Sequence, residues 1–262
     1  MGERTINYFN SQFDTILIGK LLGVESLGVY TIAKELIMRP AMIINPILTR
    51  VAFPTMSKIQ DDIPRLKNIY IRMINFVASI NFPIYVAIIT LAPELVRLLF
   101  GHKWDEAIPI IQILSIFGAI RSTGNPIGSL ILARGRANLG FWWNFGLFFY
   151  VPLSIFIYSQ WGLMGIAWGL VANMIILQLP GYYVLVKPLS GAGLKEYFWQ
   201  IGRALLISIA VYILVYNCYL ILPSNVVIKI FVVSFLVFVL SYVLNHYFNR
   251  VFIDEVKGFI KR

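Results

Sequence analysis

The sequence predicts an all-α, polytopic transmembrane helical bundle of about eight spans, and three observations carry that expectation. The chain is 59% apolar and only 13% charged, with a mean hydropathy of +0.78, whereas soluble domains carry roughly a quarter charged residues. Met73 to Pro93, Ala137 to Val186, Leu205 to Leu222 and Ile230 to Asn249 contain no Asp, Glu, Lys or Arg. A hydrocarbon core about 30 Å thick takes about 20 helical residues to cross, so these runs alone hold five spans. Finally, the short apolar and polar alternation of a membrane β-barrel is missing. Backbone groups in lipid must pair within their own segment, which leaves helices.

Polar breaks divide the chain into runs at about 6–22, 28–56, 68–98, 106–132, 139–158, 163–186, 198–221 and 226–248. The first carries Asn7, Asn10, Gln12 and Asp14, and is the most polar. The second holds Lys34, Glu35, Arg39 and Arg50 together with Pro40 and Pro46. The third follows the connection SKIQDDIPRLKN. The fourth contains Arg121 and the stretch RSTGNPIGS. The fifth and sixth share one uncharged run, with a turn at Tyr158-Ser159-Gln160-Trp161-Gly162. The last two follow the connection KPLSGAGLKE. The N-terminus, MGERTINYFNSQFD, has no short apolar core followed by a small-residue cleavage site, so no cleavable signal peptide is expected there.

Alternating spans place both termini and the connections SKIQDDIPRLKN, ARGRAN and KPLSGAGLKE on one side. That side collects 14 basic residues, among them Lys58, Arg65, Arg134, Arg136, Lys187, Arg250 and Lys257, against Lys20, Arg97, Lys103 and Lys229 opposite. Because cytoplasmic loops are enriched in Lys and Arg, both termini are expected in the cytoplasm. Topology therefore accounts for the net charge of +10. Short orienting loops, which can also meet anionic headgroups, are not the single basic face of a nucleic-acid-binding domain, and no nucleic-acid partner is expected. Trp104, Trp142, Trp143, Trp161, Tyr182, Tyr183 and Trp199 fall near predicted interfaces, where amphipathic rings favour headgroup depth. Cys218 is the only cysteine, which excludes an intrachain disulfide.

Charges inside spans cost roughly 2.5–3.5 kcal/mol each on insertion scales and usually face a polar interior or a partner. Asp14, Lys34, Glu35, Arg39, Arg50 and Arg121 are the residues that break the apolar rule. Glu35 and Arg39 are four apart with the acid first, the favourable order for a helical ion pair. At 100° per residue, Arg39 and Arg50 fall about 40° and 60° from Glu35, forming a polar stripe that Pro40 and Pro46 interrupt. Arg39, Arg50, Lys34 and Arg121 are the candidate substrate-binding residues, since a guanidinium offers a planar fork of donors to phosphate oxygens. The plain structural alternative pairs Glu35 with Arg39 and lets Arg50 snorkel to the headgroups. Asp14 either carries a coupling proton or cation or pairs with Arg39 or another base; Glu35 is likewise a candidate for ion coupling or ion pairing. The stretch after Arg121 suits close helix packing or a locally unwound backbone.

No catalytic constellation is present. His102 and His246 are single and far apart, and there is no CxxC, HExxH or GxxxxGK[ST] motif. No enzyme activity, metal or cofactor is expected. Glycines in GLMGIAWG lie inside an apolar run, where close helix contact explains them.

The runs FDTILIGKLLGVESLGVYTIAKELIMRP, RVAFPTMSKIQDD and LAPELVRLLFGHKWDEAIPIIQILSIFG together resemble the second half of a Wzx-type, colanic-acid-exporter-like polysaccharide flippase. That family belongs to the multidrug/oligosaccharidyl-lipid/polysaccharide exporter superfamily. The resemblance implies translocation of undecaprenyl-pyrophosphate-linked oligosaccharides across the bacterial inner membrane by alternating access coupled to an ion gradient. It also implies two six-helix lobes facing a cationic cavity, often with two further helices. By resemblance, residues 1–186 form the second lobe, 187–197 a cytoplasmic loop, 198–248 the two additional helices and 249–262 a cytoplasmic tail. Asp14, Lys34, Glu35, Arg39 and Arg50 then occupy cavity-side elements. Full family members have about twice this span count, so the implied partners are the bilayer, the lipid-linked oligosaccharide and a missing or separately encoded N-terminal lobe. The competing expectation is a non-transporting membrane subunit or scaffold in a glycan assembly complex.

Overall fold

The computed structural model describes the backbone of residues 2–260 and the side chains of 10, 12–44 and 53–257. Among these residues the chain is helical almost throughout, with no strand. Ten α-helices follow in order: α1 Gly2–Ser57, α2 Ile63–Leu99, α3 Ala107–Ser122, α4 Asn125–Ala133, α5 Ala137–Tyr158, α6 Gly162–Gly181, α7 Lys187–Ser190, α8 Leu194–Ile221, α9 Val226–Phe248 and α10 Arg250–Ile260.

Two of these boundaries are set by glycine. Within α1, Gly23 has φ 86° and ψ 177°, a region open essentially to glycine alone. On a straight helix Asp14 and Lys34 would lie roughly 30 Å apart along the axis, yet their side chains meet at 2.7 Å. The chain therefore folds back at Gly23, and α1 is a hairpin of two arms. Gly162, at φ 66° and ψ −161°, makes the same reversal between α5 and α6. Asn173 on α6 then bonds to Tyr150 at 2.9 Å and Ser154 at 2.8 Å on α5.

Six helical stretches among the described residues are long and apolar enough to cross a membrane: Gln12–Ile44, Ile63–Leu99, Ala107–Ala133, Ala137–Ser190, Leu194–Ile221 and Val226–Phe248. The first and fourth contain the two reversals, and counting their arms separately gives the eight expected segments. The fourth expected span, 106–132, is broken. At Thr123 and Gly124 the backbone turns between α3 and α4, and Pro126 has no amide hydrogen to offer the preceding turn. The hydroxyls of Ser122 and Thr123 bond back to the Ala119 and Ile120 carbonyls at 2.6 and 2.7 Å.

Helix α2 is the centre of the bundle. It starts where the Asp62 carboxylate accepts the Arg65 amide hydrogen at 3.1 Å, with Pro64 in the first turn, as helix N-termini prefer. Of its most apolar window 67% is buried, against 17% for α9, so α2 is enclosed by protein where α9 is largely uncovered by the described residues. One side of α2 contributes Tyr85, Ile88, Ala92 and Val96 to a core shared with both arms of α1, α3, α5 and α6. Its other side presents Val86 and Leu91 to Ile207, Val211 and Val215 of α8 and Val233 and Val237 of α9. The final helix pair is thus docked on the rest of the bundle largely through α2.

The two ends of the bundle differ in charge. At one end Arg134 reaches the Gln60 carbonyl at 2.6 Å, Lys67 pairs with Glu196 at 3.3 Å, and Arg72 with Glu255 at 3.3 Å. This is the end where the sequence collects its basic loops. Residues 250–260, expected as a tail, form α10, whose Phe252 and Ile253 are buried. The Phe252 ring packs on Phe76 of α2 at 5.7 Å.

Candidate functional site

The Gly23 reversal gives Asp14 its partners. One carboxylate oxygen accepts from Lys34 Nζ at 2.7 Å and from the Thr15 amide at 2.7 Å. The other accepts from the Tyr30 hydroxyl at 2.5 Å. Lys34 also reaches the Thr15 hydroxyl at 3.1 Å. With the Asp14 and Lys34 side chains only 16% and 23% exposed, this is a partly buried, compensated pair inside a span. Lys34, expected to face an anionic ligand, is turned inward between the arms of α1.

Glu35 and Arg39 form the expected i,i+4 ion pair. They point outward, at 53% and 65% exposure, because residues 34 and 35 stand about 100° apart on the helix. Met38 and Met42 share the outward face of Glu35 and Arg39. They border a cleft of about 400 Å³ lined also by Ala41, Tyr85, Gly118, Arg121, Ser122 and Asn125. Arg121 lies over the Phe117 ring at 5.7 Å and joins none of the ion pairs among the described residues. Among the described residues the cleft therefore presents a guanidinium without a carboxylate partner, at the point where α3 gives way to α4.

Its wall is tightly built. The Tyr85 hydroxyl donates to the Ile37 carbonyl at 3.0 Å, next to the carbonyl that Pro40 leaves without its usual amide donor. A Cβ on Gly118 would sit 2.6 Å from the Tyr85 ring, so only glycine admits the ring there. The cleft is thus lined from α1 by Met38, Ala41 and Met42, while Glu35 and Arg39 are exposed on the same arm outside its lining and Lys34 is held by Asp14. The Arg50 side chain lies outside the described residues.

A second buried charge cluster did not figure among the sequence candidates. Glu94 of α2, 6% exposed, accepts from the Tyr219 hydroxyl of α8 at 2.8 Å and from Lys229 of α9 at 3.2 Å. The Lys229 ammonium also sits 4.3 Å from the centre of the Tyr219 ring, a cation–π distance. The available signal was an acid in the final turns of the third apolar run and a lone base early in the eighth.

Comparison with known proteins adds to this geometry. Residues 1–109 match the family described as polysaccharide biosynthesis protein. The lipopolysaccharide biosynthesis protein WzxC of Escherichia coli (strain K12) is 32% identical over 86% of this chain and 46% of its own length. The chain is related to the Wzx-type polysaccharide biosynthesis proteins. It is also 33% identical to the teichuronic acid biosynthesis protein TuaB of Bacillus subtilis (strain 168), over 83% of this chain and 45% of that one. The amylovoran biosynthesis protein AmsL of Erwinia amylovora is 29% identical over 84% of this chain and 58% of its own. The chain spans about half the length of the curated relatives it matches. No solved structure matches it.

Proposed function

We propose that this chain forms one lobe, with two trailing helices, of a flippase that moves undecaprenyl-pyrophosphate-linked oligosaccharides across the bacterial inner membrane for polysaccharide export. Both termini face the cytoplasm in this reading, and the work is transport rather than catalysis. The observation that carries it is the cleft lined by Arg121 together with Met38 and Met42 of α1, the arm on which Glu35 and Arg39 are also exposed. A guanidinium at membrane depth suits the oxygens of a diphosphate, which it can meet through two parallel hydrogen bonds. The relatives' roles in lipopolysaccharide and teichuronic acid biosynthesis support a glycan-linked substrate.

Each candidate then has a part. Arg121 and Arg39 contact the diphosphate, with Arg50 further along the same arm. Asp14 holds Lys34 away from the cleft and releases it when protonated, which couples substrate contact to an ion gradient. An N-terminal lobe, missing from this sequence or separately encoded, supplies the opposite wall. The competing reading is a non-transporting subunit of a glycan assembly complex.

The test is complementation of a strain lacking its polysaccharide flippase, with this chain coexpressed beside a candidate first lobe. Export is expected to return and to fall at least tenfold in Arg39→Ala/Arg121→Ala at equal membrane abundance. Undiminished export in that variant sinks the arginine cleft. Association with glycan assembly proteins and no restored export would favour the scaffold.

A further inference from the structure

Away from the α1–α3 cleft, the junction of α9 and α10 holds a second cavity, of about 310 Å³, lined by His246, Tyr247, Arg250, Ile253, Asp254 and Lys257. We propose that it binds the headgroup phosphate of an anionic phospholipid, whose acyl chains lie along the outer face of α9. This inference does not depend on the transport reading.

Four of the six lining residues can donate a hydrogen bond, and only Asp254 carries negative charge. Arg250 and Lys257 are exposed and join none of the ion pairs among the described residues. The position of the cavity is fixed from behind. Asn249 bonds to Ser79 and Asn245, each at 2.9 Å, which holds the bend between α9 and α10. Ile253, 5% exposed, closes the floor, and the Arg72–Glu255 pair secures the opposite side of α10 to α2. Cationic groups are therefore held in place rather than scattered on loose loops.

The surface below the cavity distinguishes a lipid from a free anion. Phe231, Phe235, Phe238 and Tyr242 are 72%, 58%, 72% and 51% exposed. At 100° per residue they fall within about 60° of one another, and the next position on that lane is His246. An apolar lane descending into the hydrocarbon and ending in a basic cavity has the shape and polarity of a phospholipid. A dissolved phosphate would use the cavity and leave the lane idle. Basic residues at a membrane surface attract anionic headgroups, so a two-cation site gives a measurable preference.

Native mass spectrometry of the full chain released from detergent, with phosphatidylglycerol or phosphatidylcholine added, reads this directly. Retention of phosphatidylglycerol is expected to exceed that of phosphatidylcholine at least fivefold and to lose that excess in Arg250→Gln/Lys257→Gln. Lys58→Gln/Arg136→Gln, which removes two cations from the same end outside the cavity, is expected to leave it intact. Equal loss in both double variants, or loss in neither, overturns the site. Displacement of the lipid by millimolar inorganic phosphate overturns the lipid assignment. Should the Arg250/Lys257 variant fail to fold, Asp254→Asn decides: removing the cavity's one carboxylate is expected to raise retention about threefold, and unchanged retention refutes the proposal.

Discussion

At the scale of single residues, the pairing of Asp14 with Lys34 decides what each can do. Asp14→Asn leaves a partly buried ammonium without its counter-charge, which is expected to cost about 2 kcal/mol, below the roughly 3–5 of fully buried pairs. Asp14→Asn/Lys34→Met is expected to recover most of that loss, measured as thermal unfolding of the detergent-purified protein; equal losses in single and double variants would argue against the pair. Asp105, outside the spans, behaves differently. Its hydrogen bonds from Arg97, at 3.1–3.3 Å, hold its carboxyl below the usual carboxylate value. A depressed folded value means that the pair's contribution is complete above the ordinary range near pH 4 and disappears as pH falls through the lowered value. Carboxyl NMR titration of Asp105 should show this downward displacement, and Arg97→Gln should abolish it. Sequence reached these residues unevenly. Glu35 and Arg39 were legible because a helix brings i and i+4 together wherever it sits. Lys34, a substrate-binding candidate as an in-span charge, takes its direction from a fold-back at Gly23 that puts it against a residue 20 positions away.

At the scale of elements, close contacts are made by glycine and the outlying helices are held by polar clasps. A Cβ on Gly169 would fall 2.1 Å from the Tyr158 ring, so Gly169→Leu is expected to force α5 and α6 apart. Overpacking of this kind typically costs about 1–3 kcal/mol, to be read as a lowered melting temperature, while Gly202→Leu, with open space around its Cβ position, serves as the tolerant control. Glu94 clasps α8 and α9 to α2. Glu94→Gln removes the counter-charge of Lys229 and is expected to raise proteolytic cutting in the 222–225 connection severalfold; cutting at the wild-type rate would show that the valine-rich contact alone holds the pair. The tight glycine packing in GLMGIAWG could be anticipated from composition, since small residues in apolar runs let helices approach. The clasp could not, because its members are 125 and 135 positions apart and each looked like an end-of-span charge. Helix α10 was also missed, although its apolar Val251, Phe252, Ile253 and Val256 among charged neighbours carry a helical period.

For the whole molecule, orientation is the property on which every functional reading rests. In a Cys218→Ser background, single cysteines at Lys58 and Arg136 should resist a membrane-impermeant thiol reagent applied from outside, and one at Lys103 should react; the reverse pattern would invert the topology. The count of apolar segments was readable because lipid allows so few solutions to the backbone hydrogen-bond problem. How they pack around α2 was not, because lipid-facing and protein-facing apolar surfaces have the same composition. The Glu94 clasp has a consequence for biogenesis. Lys229 is synthesised 135 residues after Glu94, which at about 5–20 residues per second is a delay on the order of 10 s. During that interval a carboxylate belonging to α2 stands in or near the bilayer without its counter-ion, at a cost of a few kcal/mol. The nascent α2 is therefore expected to hold its distal end at the water interface and to settle to full depth only when the last hairpin is made.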